Sequence, residues 1–89
     1  MGLSIAKYTQ ITFKNGRVQQ NNFHDYKVLR IGEGAMDVRT YIVPNGIEVP
    51  SSGVGEPGVP PFAPAFVNAI YNATGKRIRT LPLGDQLSA

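Results

Sequence analysis

One acid in this chain stands in a setting suited to chemistry. Glu56 lies within Gly53-Val54-Gly55-Glu56-Pro57-Gly58-Val59-Pro60-Pro61, with three glycines and three prolines around it. Glycine lets the backbone approach a ligand or turn sharply, and proline fixes φ so that a loop cannot relax. A carboxylate held in this way is a candidate general base. The same residues also describe a stiff connecting loop with a solvated glutamate on it. Residue types alone leave both readings open.

The other reactive residue types are sparse. His24, the single histidine, sits between Phe23 and Asp25. As a ligand or proton carrier it lacks partners, so it reads as a histidine hydrogen-bonded to nearby backbone. There are no cysteines, which excludes disulfides, iron–sulfur clusters and thiolate zinc sites within the chain. No metal ligands are assigned.

Two motifs fail on their surroundings. Gly53-x-Gly55-x-x-Gly58 matches the dinucleotide fingerprint literally, but that fingerprint needs a hydrophobic strand before it and a helix opening inside it. Val49-Pro50-Ser51-Ser52 precede it instead, Glu56 would repel a pyrophosphate, and Pro57 lacks an N–H. The second motif is basic: Lys76, Arg77 and Arg79, with Lys27, Arg30 and Arg39 as further cations and a formal net charge of +3. No aromatic is interleaved at 76–81, so a charge-guarded edge strand is the better account than a nucleic-acid face.

The elements that must position Glu56 follow from periodicity. Residues 3–8 have the spacing of a short helix without a cap, as if it were the tail of a longer one. Residues 8–14 alternate Thr9, Ile11 and Phe13 against Gln10, Thr12 and Lys14, a half-buried strand. Asn15-Gly16 then predicts a type I′ hairpin, returning through 17–20 with Val18 inward. Residues 21–26 read as a loop or bent strand, 27–31 as a short strand ending at Gly32-Glu33-Gly34, and 37–43 as a clearer strand closed by Pro44-Asn45-Gly46. A brief extension is expected at 47–49. A helix is predicted over 61–74, its stripe being Phe62, Ala65, Phe66, Ala69, Ile70 and Ala73. Proline in its first turn and Gly75 beyond its end suit helix termini. Residues 76–81 read as a last strand stopped by Pro82, and 84–89 as frayed. The expected fold is one small α+β domain over residues 1–89, with a mostly antiparallel sheet of four or five strands and the main helix packed on one face.

Length bounds the rest. At 89 residues and 42% hydrophobic content the chain folds around a small core at most. No apolar run reaches the roughly 18 residues of a membrane-spanning helix. No signal peptide is visible at the N-terminus.

Several of these stretches together resemble a known family. Gly53-Val54-Gly55-Glu56-Pro57-Gly58, Pro60-Pro61, the helix ending Asn68-Ala69-Ile70-Tyr71-Asn72-Ala73-Thr74-Gly75-Lys76-Arg77, and Leu81-Pro82-Leu83 are similar to the C-terminal end of molybdenum hydroxylase large subunits. The segments 11–18 and 22–30 extend the likeness, which runs from Gly2 to Leu83. It points to the aldehyde or isoquinoline oxidoreductase branch of the xanthine dehydrogenase family. The resemblance implies that Glu56 is the active-site base beside the molybdenum and that Gly55 lies against the molybdopterin-type cofactor. It also implies partners: the rest of the large subunit, or a complementary polypeptide, and an iron–sulfur subunit. The expected compartment is the cytoplasm, or the periplasm as part of a larger complex. A chain this small cannot enclose such a cofactor, since ligand sites need a cavity. It is therefore expected to be inactive alone, as a split piece, a truncated frame or an excised domain. A non-catalytic remnant that self-associates into a homo-oligomer is the alternative.

Overall fold

The computed structural model describes residues 1–88. Its regular elements are α1 (Gly2–Lys7), a hairpin of β1 (Phe13–Lys14) and β2 (Arg17–Val18), a 3-10 turn (Ile31–Glu33) and α2 (Phe62–Thr74). The class is α+β, with a small antiparallel sheet and one main helix.

The hairpin forms where its turn chemistry predicts. Asn15 and Gly16 have φ of 50° and 74°, the left-handed values a type I′ turn requires at both positions. Phe13 pairs with Val18 and Lys14 with Arg17. The Gln19 amide donates to the Thr12 carbonyl at 2.9 Å, which lengthens the pairing by one bond. Beyond it, the Gln20 side chain accepts from the Thr12 amide and donates to Thr12 Oγ1.

The sheet stops at two strands, and this corrects the four or five expected. Residues 27–31 run along α1 instead of pairing: the Leu29 amide donates to Ser4 Oγ at 3.0 Å. They are pinned at the following turn, where Tyr8 Oη donates to Glu33 Oε1 and Glu33 Oε2 accepts from the Arg30 amide. Residues 37–43 and 76–81 join no ladder, and the chain bends at 80–81. Alternation marks a segment able to be a strand; a ladder also needs a neighbour.

The helix is where the periodicity places it. Pro61 is its N-cap, and Gly75, at φ 72°, closes it with its amide on the Tyr71 carbonyl. The stripe is rotated from the one read in the sequence. Phe62, Ala63, Phe66, Val67 and Ile70 turn inward, while Ala65, Ala69 and Ala73 stay exposed. Alanine methyls offer little area, so the larger side chains decide which face is covered. That face meets α1 and the segment 78–83. The core is Ile70, Ile78 and Leu83, with Phe66 and Val67 packed against it, and Ala6 is fully buried.

The C-terminal segment closes this layer. The Leu83 and Gly84 amides donate to the Ala6 and Lys7 carbonyls at 2.8 and 3.0 Å, satisfying the open end of α1. Gln86 Nε2 donates to the carbonyls of Thr80 and Pro82. Lys76 Nζ reaches the Gln86 carbonyl. Residues 84–88 are thus tied down, where fraying had been expected; Ala89 lies outside the described residues.

The close approach of the two helices gives a testable consequence. A Cβ placed on Gly2 would lie 2.7 Å from Phe62 Cβ and Cγ. Gly2→Ala is expected to lower stability by about 1–3 kcal/mol through overpacking. The check is the urea midpoint of thermodynamically reversible unfolding.

The described chain is open overall. Its radius of gyration is 16.8 Å, against about 12 Å for a compact domain of this length. Its accessible surface is 7886 Å², where a compact monomer of this mass exposes about 5,100 Å². Residues 35–54 are exposed without a break.

Candidate functional site

The approach to Glu56 is built by consecutive turns. The Val59 amide donates to the Glu56 carbonyl at 2.9 Å, with Pro57 at the position where a fixed φ near −65° suits a turn. The next turn repeats the device. Phe62 donates to Val59 at 3.2 Å, with Pro60 in the same role. The Ala65 amide then bonds the Pro61 carbonyl and α2 begins. Two turns with proline at their second positions therefore connect Glu56 to the main helix.

The glycines serve this loop differently from a sharp-turn reading. None of Gly53, Gly55 and Gly58 is among the positive-φ residues. A Cβ on any of them would meet nothing within 4 Å. The space beside Gly55 is open because the loop is exposed, and no contact among the described residues requires a glycine there.

Both candidate residues face solvent. Glu56 and Gly55 are exposed, and no hydrogen bond or ion pair to the Glu56 carboxylate occurs among the described residues. Neither residue lines any of three hollows on the surface. One, about 260 Å³, lies between α2 and residues 78–81; another, about 270 Å³, is bounded by Ile11, Phe23 and Tyr26. The third, about 350 Å³, is a polar trough at the hairpin. Among the described residues there is no group of three or more His, Asp or Glu able to hold a metal. A molybdopterin-type group does not fit these residues alone, because nothing here forms a cradle for it.

The remaining sequence candidates have local partners. His24 Nε2 stands 3.6 Å from Asp25 Oδ2 and is exposed. Asp25, which sequence reasoning passed over, is the organising residue there. Its carboxylate accepts from the Asn21 and Asn22 amides at 2.8–3.0 Å. The backbone bonds from Asn22 and then Asn21 hold its pKa below the ordinary carboxylate value. An acid three residues after Asn22 stands where the reciprocal acceptor of a capping box stands, and that spacing is the signal available in the sequence. The sign of the linkage follows: a lowered folded pKa gives stability that is present above the ordinary value and lost as pH falls through the folded one. Amide exchange at Asn21 and Asn22 is therefore expected to accelerate on acidification below the ordinary range, relative to the intrinsic rate. Asp25→Asn should remove that step.

The cations are engaged separately. Arg77 stacks 3.5 Å over the Tyr71 ring and donates to Asn68 Oδ1. Lys27 lies 3.9 Å over Tyr8. Arg39 pairs with Asp37 at 2.7 Å. They are distributed over different faces and neighbours. No helix of the described chain is long and apolar enough to cross a membrane.

Comparison with known proteins gives three informative likenesses. The chain is 32% identical over 87 residues to the beta subunit of isoquinoline 1-oxidoreductase from Brevundimonas diminuta, covering 98% of this chain and 11% of that protein. It is 37% identical over 83 residues to a membrane-bound aldehyde dehydrogenase [pyrroloquinoline-quinone] of Gluconacetobacter polyoxogenes, covering 92% and 10%. It is 37% identical over 75 residues to a nicotinate dehydrogenase subunit of Pseudomonas putida, covering 83% and 6%. No family profile matches the sequence, and no solved structure matches it. The chain spans about a tenth of the length of these relatives, two of which are named as subunits. The likenesses are consistent with a relation to the molybdenum hydroxylases, at the level of oxidoreductases acting on aldehydes or nitrogen heterocycles.

Proposed function

We propose that this chain is the C-terminal portion of the large subunit of a molybdenum-dependent oxidoreductase and that Glu56 is its general base. The observation that carries the reading is the position of Glu56: an unpartnered carboxylate at the head of two proline-set turns, with open backbone at Gly55 beside it. Likeness to three oxidoreductases across 83–98% of the chain supports it.

In this reading Glu56 accepts the proton of the oxygen nucleophile as that oxygen adds to an electron-poor carbon of an aldehyde or N-heterocycle. A base of this kind needs a fixed position and a site from which water is excluded. The chain supplies the first through its turns. The second comes from a companion polypeptide that closes over the loop, because Glu56 is exposed here. Cofactor binding and removal of the substrate's two electrons belong to that companion, with an iron–sulfur subunit as the onward acceptor. The isolated chain is inactive.

The test is co-expression with a large-subunit companion lacking this segment, followed by assays on isoquinoline, nicotinate and aldehydes. One relative's name carries a quinone cofactor, so reconstitution is run with molybdenum supplied and with pyrroloquinoline quinone supplied. Molybdenum-dependent turnover supports the reading. Turnover only with the quinone, or none in either arm, counts against it.

A further inference from the structure

Residues 37–43 are the part of the molecule least explained by its own fold. They alternate Val38, Thr40 and Ile42 with Asp37, Arg39, Tyr41 and Val43. The residue types are those that suit a pleated, buried surface. Yet Val38 is 80% exposed, Tyr41 84% and Ile42 88%. No backbone amide or carbonyl of residues 35–45 takes part in a described hydrogen bond, so both edges of the segment are open. The two charges in it cancel locally: Arg39 Nη2 and Nε lie 2.7 and 2.9 Å from Asp37 Oδ2. Residues i and i+2 share a face, so this pair leaves one face bearing a neutral couple beside Tyr41 and Val43. In strand geometry Val38, Thr40 and Ile42 would form one face suited to cover by protein, and the internal ion pair would lower the cost of covering the other.

We propose that residues 37–43 are a docking strand that enters a β-sheet of the companion polypeptide, and that this docking carries Glu56 to its site. The inference rests on the reading of the chain as a portion of a larger oxidoreductase, and names the contact by which it joins the rest. A second copy of the chain is the competing occupant. Antiparallel self-pairing about Thr40 would set Val38 against Ile42 and Arg39 against Tyr41. That arrangement satisfies one edge and leaves the other edge and both faces in water. The surface to be covered is also large. The chain exposes 7886 Å², roughly 2,800 Å² more than a compact monomer of its mass. A standard interface covers about 800 Å² per partner. Such an excess calls for an enveloping partner, and the relatives match this chain over only 6–11% of their own length, which is the scale of body required. Glu56 follows Val43 by thirteen positions, through Pro44 and Pro50, so a docked strand anchors the loop from one side while α2 anchors it from the other.

The experiment uses the full chain, tagged, co-expressed with the Brevundimonas diminuta beta subunit from which the matched segment is deleted. The expected result is co-purification, with amide exchange at residues 37–43 slowed at least about 100-fold on binding and fast in the isolated chain. Thr40→Pro removes an edge donor and should abolish co-purification, since proline is excluded from central strands. Thr40→Val should retain it. Circular dichroism of the Thr40→Pro chain checks that α2 is intact. Unchanged co-purification of Thr40→Pro, fast exchange at 37–43 in the complex, or no co-purification of the unaltered chain would overturn the inference. Protection of 37–43 in the chain alone, with a dimer in sedimentation, would overturn it in favour of self-pairing. A complex that forms through 37–43 but turns over equally with Glu56→Gln removes only the general-base reading. An active complex whose 37–43 amides stay fast removes only the docking strand.

Discussion

Replacing Glu56 by glutamine is expected to leave the chain folded and able to join its companion, while turnover falls by about 10²–10⁴-fold, the range contributed by a positioned base. The substitution keeps side-chain size and removes the ability to accept a proton. Glu56 is exposed and its carboxylate makes no described contact, so no packing or ion pair is lost. The turn depends on the Glu56 carbonyl, which glutamine keeps. The loss should therefore fall on kcat, with KM little changed. Steady-state kinetics across pH on the assembled complex give the measurement. Equal turnover by wild type and variant would remove Glu56 from the mechanism. Aspartate at this position is a useful companion variant: it retains the base but withdraws it by one methylene, and should recover part of the rate.

The largest stability effect is expected at Ile70. Ile70→Ala should cost about 2–5 kcal/mol, combining lost burial with the cavity left behind. The core it belongs to is small: Ile70, Ile78 and Leu83, with Phe66 and Val67 against them. A domain is stable by only about 5–15 kcal/mol in total, so the variant should unfold at a markedly lower urea concentration. Ala69→Ser provides the contrast on the same helix. Ala69 is exposed, and the change should stay within about 0.5 kcal/mol. Equal effects at the two positions would contradict the orientation of α2. Loss of this core would also release residues 78–84 from α1, since the Leu83 and Gly84 amides bond its last carbonyls.

Local chemistry was readable where a single residue type dictates geometry. Asn15-Gly16 announces a turn because both positions must adopt positive φ, and both do. Gly75 announces the end of α2 for the same reason. Pro57 and Pro60 preset the two turns that follow Glu56, independent of anything distant. The stripe of α2 was only partly readable. Helical spacing admits two overlapping apolar faces, and the larger side chains of Val67 and Phe66 displaced the alanines from the covered one. The Asp25 turn went unread because a carboxylate beside a histidine draws attention to the histidine.

Alternation at 27–31, 37–43 and 76–81 is a statement about each segment alone. Whether a ladder forms depends on a second segment arriving at about 4.8 Å with free donors and acceptors. Ser4 and Glu33 captured the first of these segments, and α2 and Gln86 border the third. The middle one makes no backbone hydrogen bond among the described residues. For Glu56 the division is the same. Its residue type, its proline-set turns and its entry into α2 were determined by sequence, because each is a short-range property. Its exposure and the open space at Gly55 were decided only by tertiary structure. A cavity is made by the walls that surround a residue, and walls come from segments far away in the chain or on another chain.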